Sequence, residues 1–341
     1  ERAYGTAWIA LLSVAASVLL MVPVAIVIAM LDLYGTESLW FFLLPLSAAI
    51  AGVSLVATAV GNRSDGYRVI SLMLFSSVLT STTLSIVFGL MGMRGRGLMA
   101  AVIIGQLVTL GYSLYIVLRN RLWSYRPSWL RLRRLVVRHR GFPLYTAPAT
   151  IIYSLAQHLP IFIMTFLGLK DFLGSFSRAR QILALPIIAF SMPISQVYFR
   201  EASKNYAESG TCRPLFWKTA LLICIPILPM TAILLFMGEY LFVFYLGPNW
   251  DEAGRLASIL SVMVALQIFA APLGTSILIT GNQRIGLYIQ LVGLVLIGIA
   301  CAGPWIFGAG PKTIIILWAG GQSLAAILQI VAGWWFSKSR G

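Results

Sequence analysis

Runs of roughly 20 apolar residues recur along the whole chain, and a bilayer core about 30 Å thick needs that length for each helix that crosses it. A helix satisfies every backbone polar group within its own segment, so such runs can sit in lipid only in that form. Ten can be marked, at 7–31, 38–60, 68–90, 97–118, 144–167, 172–198, 217–246, 253–280, 285–307 and 313–336, with no soluble domain between them. The 341 residues are 59% hydrophobic and only 10% charged, too little charge for the surface of a soluble protein of this size. The expected class is all-α and polytopic. The first run lacks a basic leader and is too long for a cleaved signal.

Loop charges give an orientation. One side carries 18 basic residues: Arg2, Arg63, Arg68, eight arginines from Arg119 to Arg140, Arg200, Lys204, Arg213, Lys218, Arg284, Lys338 and Arg340. The other carries five: Arg94, Arg96, Lys170, Arg255 and Lys312. The positive-inside rule puts the richer side, with both termini, in the cytoplasm. Tryptophans near run ends (Trp8, Trp40, Trp217, Trp250, Trp334, Trp335) fit an interfacial belt.

The basic connection 119–143 is the longest and divides the chain into an N-terminal lobe, 1–118, of four spans and a C-terminal lobe, 144–341, of six. Within it, 130–138 alternates arginine with leucine and valine, as a helix lying on the inner leaflet would. Transporters are often built from two repeats of equal span number. Four spans against six, in a chain that opens on Glu1, lead to the expectation that two N-terminal helices are missing.

Two arginines break the apolar pattern. Counted from Asp171 at the outer end of its run, Arg178 lies seven residues in, about 10 Å, and Arg180 nine residues in, about 13 Å. Charge at that depth costs about 2.5–3.5 kcal/mol on insertion scales and faces a polar cavity more often than lipid. Two residues of separation turn a helix by roughly 200°, so both cannot point directly into one cavity. Arg178 can snorkel outward toward Asp171; Arg180 is the stronger candidate for holding an anion, bidentately, in low dielectric. The alternative for either is an interhelical or headgroup salt bridge.

Gln157 and His158, flanked by Tyr153, Ser154 and Pro160, suit sugar hydroxyls or, equally, hydrogen bonding between helices. The hydroxyl band Ser76, Ser77, Thr80, Ser81, Thr82 and Thr83 reads first as close helix packing. Prolines inside the runs (148, 160, 186, 193, 226, 229 and 272) are expected to kink their helices.

Two histidines and ten acids leave little for catalysis or metal binding, and the three cysteines, Cys212, Cys224 and Cys301, have neither paired nor metal-ligand spacing. No catalytic residue, metal or cofactor is expected, and neither an enzymatic role nor a nucleic-acid partner.

Several segments together resemble one family. Gly61-Asn62-Arg63 followed by Tyr67-Arg68 looks like a cytoplasmic turn, and Ile104-Gly105-Gln106 like a helix motif. Phe142-Pro143-Leu144-Tyr145-Thr146-Ala147-Pro148 with Gln157-His158-Leu159-Pro160 matches a further helix. So do Gly174-Ser175-Phe176-Ser177-Arg178-Ala179-Arg180 with Leu185-Pro186 and Ile194-Ser195-Gln196-Val197, and the outer loop Leu246-Gly247-Pro248-Asn249-Trp250 with Ala253-Gly254. In this order they resemble the Wzx-type oligosaccharide flippases, or polysaccharide biosynthesis proteins, of the multidrug/oligosaccharidyl-lipid/polysaccharide (MOP) exporter superfamily.

The resemblance implies a twelve-helix, two-lobe fold in the bacterial inner membrane. It also implies alternating access and a polyprenyl-pyrophosphate-linked oligosaccharide as cargo, turned to the outer leaflet for O-antigen, capsule or exopolysaccharide assembly. Membrane lipids and a polysaccharide polymerase are the implied partners. Arg180, Arg178, Gln181, Gln157 and His158 become candidate substrate contacts, and Asn62, Arg63 and Arg68 a cytoplasmic gate or turn. Members often carry a basic residue at Arg180, more often an aliphatic one at Arg178, and often a second basic residue where Gln181 stands.

Three other readings compete. A cation-coupled multidrug extruder of the same superfamily would hold a membrane-buried acid, whereas the acids here (Asp32, Glu37, Glu239, Asp251) sit mainly at run ends. A polytopic glycan polymerase or ligase would use a sizeable outer loop, and the outer loops are short. An inert scaffold explains neither intramembrane arginine.

Overall fold

The computed structural model describes residues 2–30, 42–63, 66–120, 128–138, 141–306, 308 and 310–338. Among the described residues there are helices and turns and no strand. Helices α1 (Arg2–Met30), α2 (Leu43–Arg63), α3 (Tyr67–Leu90), α4 (Arg94–Arg119) and the short α5 (Trp129–Arg138) come first. They are followed by α6 (Ala147–Phe166), α7 (Lys170–Pro186), α8 (Met192–Ser209) and α9 (Arg213–Leu246). The chain closes with α10 (Asp251–Leu273), α11 (Thr275–Ile279), α12 (Gln283–Ile306) and α13 (Pro311–Phe336).

Among the described residues ten helical stretches are long and apolar enough to cross a membrane, the number expected from the sequence. The protein is a multi-pass, all-α membrane protein. Trp40, the start of the run at 38–60, and residues 121–127 of the basic connection lie outside the described residues.

The sixth crossing departs most from the expected 172–198. It is a 40-residue stretch, Lys170–Ser209, in which a π-helical turn, Ile187–Ser191, joins α7 to α8. A second π turn, Phe142–Thr146, precedes α6. Each lies just before a proline in the first turn of the next helix, Pro148 or Pro193. A proline ring collides with the carbonyl four residues back, here that of Leu144 or Ala189. Both carbonyls sit inside the π turns, where the wider ring of the helix accommodates them. Pro272 is followed at Gly274 by the break between α10 and α11.

The chain divides into two compact units, Glu1–His139 and Arg140–Gly341. In the first, α3 packs along α4 and α1 along α2. Small residues set these distances: a Cβ on Gly52 would run into Val14, and one on Gly105 would lie 2.8 Å from Cβ of Ser81. Part of the hydroxyl band serves this packing, since Ser77 Oγ donates to the Gly105 carbonyl (3.0 Å) and Thr109 Oγ1 donates to Ser77 (2.9 Å). The basic helix α5 lies against α1, where Leu135 meets Gly5.

In the second unit α10 is the central strut, packed by α7, α8, α9 and α13, with α12 joining α13 to α6. Its buried face includes Leu256, Leu260, Met263, Val264 and Ile268. The α9–α10 crossing is close because Gly238 faces Gly254; Ser258 Oγ also donates across it to the Leu234 carbonyl, 2.9 Å away. Outward faces are apolar, with Leu20 75% and Phe236 82% exposed, as suits contact with acyl chains. At the basic end of this unit, Arg213 and Lys338 lie over the Trp334 ring, and Lys338 also over Trp335. At the opposite end Arg255 pairs with Glu239 (2.9 Å) and Asp251 (3.5 Å), and Lys312 with Glu252 (3.3 Å).

Candidate functional site

Arg180 is ten residues into α7, about 15 Å along the axis, which is close to the half-thickness of a bilayer core. Its guanidinium carbon lies 5.6 Å from the centre of the Phe176 ring and 5.5 Å from that of Trp318. The two rings meet edge to face at 5.7 Å and are fully buried, and Trp318 Nε1–H is anchored to the Ala156 carbonyl at 2.9 Å. Phe176 is one helical turn before Arg180 on α7, so both reach the same face. Aromatic faces attract a cation most where water is excluded.

Among the described residues no carboxylate pairs with Arg180. Its Nη2 points instead at Gln157 Oε1, at the 3.5 Å outer limit of a hydrogen bond, while Gln157 Nε2 donates to Tyr153 Oη at 2.8 Å. The positive charge is thus supported by neutral groups and its donors are incompletely used. A guanidinium in that state attracts an anion.

Arg180, Gln157, His158, Ser154 and Tyr153 line a cavity of about 250 Å³, closed on the α10 side by Leu260, Met263, Val264 and Gln267. His158 Nδ1 lies 2.8 Å from the Ser154 carbonyl, which makes that nitrogen the donor.

Arg178 and Gln181 are elsewhere. Arg178 is exposed, stacks on Trp250 at 5.2 Å and donates from Nη1 to Gln181 Oε1 at 3.0 Å. Its partner is an interfacial tryptophan rather than the Asp171 carboxylate expected from the sequence. The two arginines diverge as their two-residue spacing requires.

In the other unit, Asn62 lies in the last turn of α2 and Arg68 in the first turn of α3, both exposed, beside a turn closed by Gly66 N–H donating to the Gly61 carbonyl at 2.9 Å. The side chain of Arg63 lies outside those described.

A second cavity, about 370 Å³, adjoins the first and shares Tyr153 and Gln267 with it. It extends toward the start of α6 and is lined by Gln267, Gln283, Gln290, Gln322 and Gln329 with Thr146, Thr150 and Thr275. Sequence reasoning missed these glutamines because a neutral amide barely lowers the hydropathy of a run. A signal was present: Gln283 and Gln290 on α12, and Gln322 and Gln329 on α13, are each seven residues apart and so share a helix face.

A model of the polysaccharide biosynthesis protein family matches residues 1–255. The teichuronic acid biosynthesis protein TuaB of Bacillus subtilis (strain 168) is 21% identical over 175 residues, 51% of this chain and 35% of that protein. The chain thus matches little more than a third of that relative's length. Among solved structures, a crystal structure of a MATE in the bent conformation superposes with a TM-score of 0.70 at 15% identity, covering 97% of this chain and 76% of the other. The inward-facing conformation of a multidrug resistance MATE family transporter of the MOP superfamily gives 0.67 at 15% identity, covering 97% and 84%. At this identity the likeness is one of fold.

Proposed function

The chain belongs to the polysaccharide biosynthesis protein family, and on that premise we propose that it moves a polyprenyl-pyrophosphate-linked oligosaccharide across the bacterial inner membrane. Family and fold are those of transporters rather than enzymes. The movement runs from the cytoplasmic to the outer leaflet by alternating access, with both termini cytoplasmic, and supplies surface polysaccharide. Arg180 takes the pyrophosphate or an acidic sugar, with Gln157 and His158 beside it. The observation that carries this reading is a guanidinium ten residues into the apolar stretch, held on aromatic faces, without a carboxylate partner among the described residues, in a cavity it shares with Gln157, His158, Ser154 and Tyr153. An anionic cargo also accords with a relative named for teichuronic acid. Extrusion of a cationic drug would call for a carboxylate in the cavity, and none lines it among the described residues.

The test is complementation of a flippase-deficient strain, read as surface polysaccharide per unit of membrane protein. Arg180→Ala should lose most export, on the order of tenfold or more, and Arg180→Lys should retain part of it, because lysine keeps the charge but not the two-pronged grip. Normal export from Arg180→Ala at normal protein level would reject the role. A drug-efflux phenotype without any effect on surface glycan would favour the multidrug reading instead.

A further inference from the structure

We propose that the amide-lined cavity next to Arg180 is a subsite for a neutral, hydroxyl-rich ligand, the sugar part of the cargo, while Arg180 takes the anionic part. This rests on the function proposed above and divides the ligand between two adjoining spaces.

The chemistry of the lining is specific. Set among alanines, Ile277 and Leu278, its polar groups are five glutamine amides, three threonine hydroxyls and the Tyr153 hydroxyl, with no charged side chain among the described residues. An anion or cation placed there would lose its hydration and gain no counter-charge. An acyl chain would leave every amide unpaired. A sugar hydroxyl both donates and accepts, as an amide does, and can satisfy both ends of it. The volume falls within the ~300–1,000 Å³ range of small-molecule sites.

The amides are not simply fastening helices together. Gln322 is only 3% exposed, lines the cavity, and its Nε2 has no partner among the described residues. Gln267 Nε2 and Thr146 Oγ1 are likewise buried without one. Glutamines that bond between membrane helices reach each other. Here Gln267 on α10, Gln322 on α13 and Thr146 ahead of α6, which carry these unpaired atoms, all border one space. That is costly in an apolar interior unless a ligand or water completes them. Small residues keep the space open: a Cβ built on Gly286 meets nothing within 4 Å.

Tyr153 and Gln267 line both cavities, which are therefore neighbours, and a cargo molecule that spans the two would place its ends in different surroundings. Such a molecule would carry its negative charge at one end and neutral hydroxyls at the other.

The experiment uses the full-length protein in lipid nanodiscs with two probes, a panel of neutral di- to tetrasaccharides and farnesyl pyrophosphate. Saturation-transfer NMR reads the first and competition with a fluorescent pyrophosphate analogue reads the second. At least one neutral oligosaccharide should bind saturably. Gln322→Leu and Gly286→Leu, the one removing a donor and the other filling the space, should each weaken it roughly tenfold and leave farnesyl pyrophosphate binding unchanged. Arg180→Gln should do the reverse. If no oligosaccharide binds, or if the one that binds is indifferent to both Gln322→Leu and Gly286→Leu, the glycan subsite is overturned. If Arg180→Gln leaves farnesyl pyrophosphate binding intact, it is the anion role of Arg180 that fails, and the glycan result still stands on the other two variants. Thermal unfolding of each variant separates loss of fold from loss of binding.

Discussion

Arg180 rests on the rings of Phe176 and Trp318, and Trp318 is itself tethered through Nε1–H to the Ala156 carbonyl. The two roles of Trp318 can be separated. Trp318→Phe keeps an aromatic face but leaves the buried carbonyl without its donor, so it should cost about 1–3 kcal/mol in stability with export largely retained. Trp318→Leu removes the face as well and should reduce export beyond its effect on stability. Thermal unfolding in detergent beside the polysaccharide assay checks both, and equal export from the two variants would dismiss the aromatic support. Arg180 was legible in the sequence because a charge inside an apolar run is conspicuous. Gln157 was legible through its neighbours and the family resemblance. The aromatic seat was not, since Trp318 is far from Arg180 along the chain and reads as one more apolar residue. Nor were the amides, whose convergence exists only once α10, α12 and α13 are packed.

At the scale of elements, runs of apolar residues gave the number of crossings, because the bilayer sets their length directly. They gave no account of the π turns, since hydropathy does not register how many residues complete a turn, and prolines announce only that something must yield. Helix spacing is likewise set by glycines whose purpose appears in the packing. A Cβ on Gly254 would lie 2.5 Å from Cα of Glu239 and 2.8 Å from the Gly238 carbonyl oxygen, both backbone atoms that cannot swing away. Gly254→Ala should therefore push α9 off α10 and destabilise the protein by about 1–3 kcal/mol. Gly298→Ala on α12, where the added methyl meets nothing within 4 Å, should be neutral or slightly stabilising. Unfolding temperatures of the two purified variants decide this; a harmless Gly254→Ala would show that the crossing tolerates a wider gap.

For the molecule as a whole, net charge and its distribution are the most informative properties. The formal charge is +15, and 18 of the basic residues fall on one set of alternate connections against five on the other. Fluorescent-protein fusions after Ser337 should fluoresce and alkaline phosphatase fusions there should be inactive, with the opposite pattern for fusions at Pro248, between α9 and α10. The same pattern at both points would invalidate the orientation. The basic connection 119–143 was read as a boundary from composition alone. Within it Trp129–Arg138 forms α5, a helix held by α1 through Leu135 and Gly5, with Leu130, Val136 and Val137 exposed. Such a contact lay beyond the sequence, because an amphipathic helix can lay its apolar side on lipid or on a neighbouring helix with equal ease.

A π turn is in effect an α turn with one residue inserted, since its ring closes over five residues instead of four. At Ile187–Ser191 one such residue is accommodated between α7 and α8. Loss of a single residue there would narrow the ring again and restore the collision of Pro193 with the carbonyl four residues back, so a kink would replace the π turn. The same loss within α7 would turn everything beyond it by about 100° and carry part of the cavity wall away from Arg180. In this crossing the length of the chain and the position of Pro193 are therefore linked, and a one-residue change at Ile187–Ser191 would have to be matched at the proline.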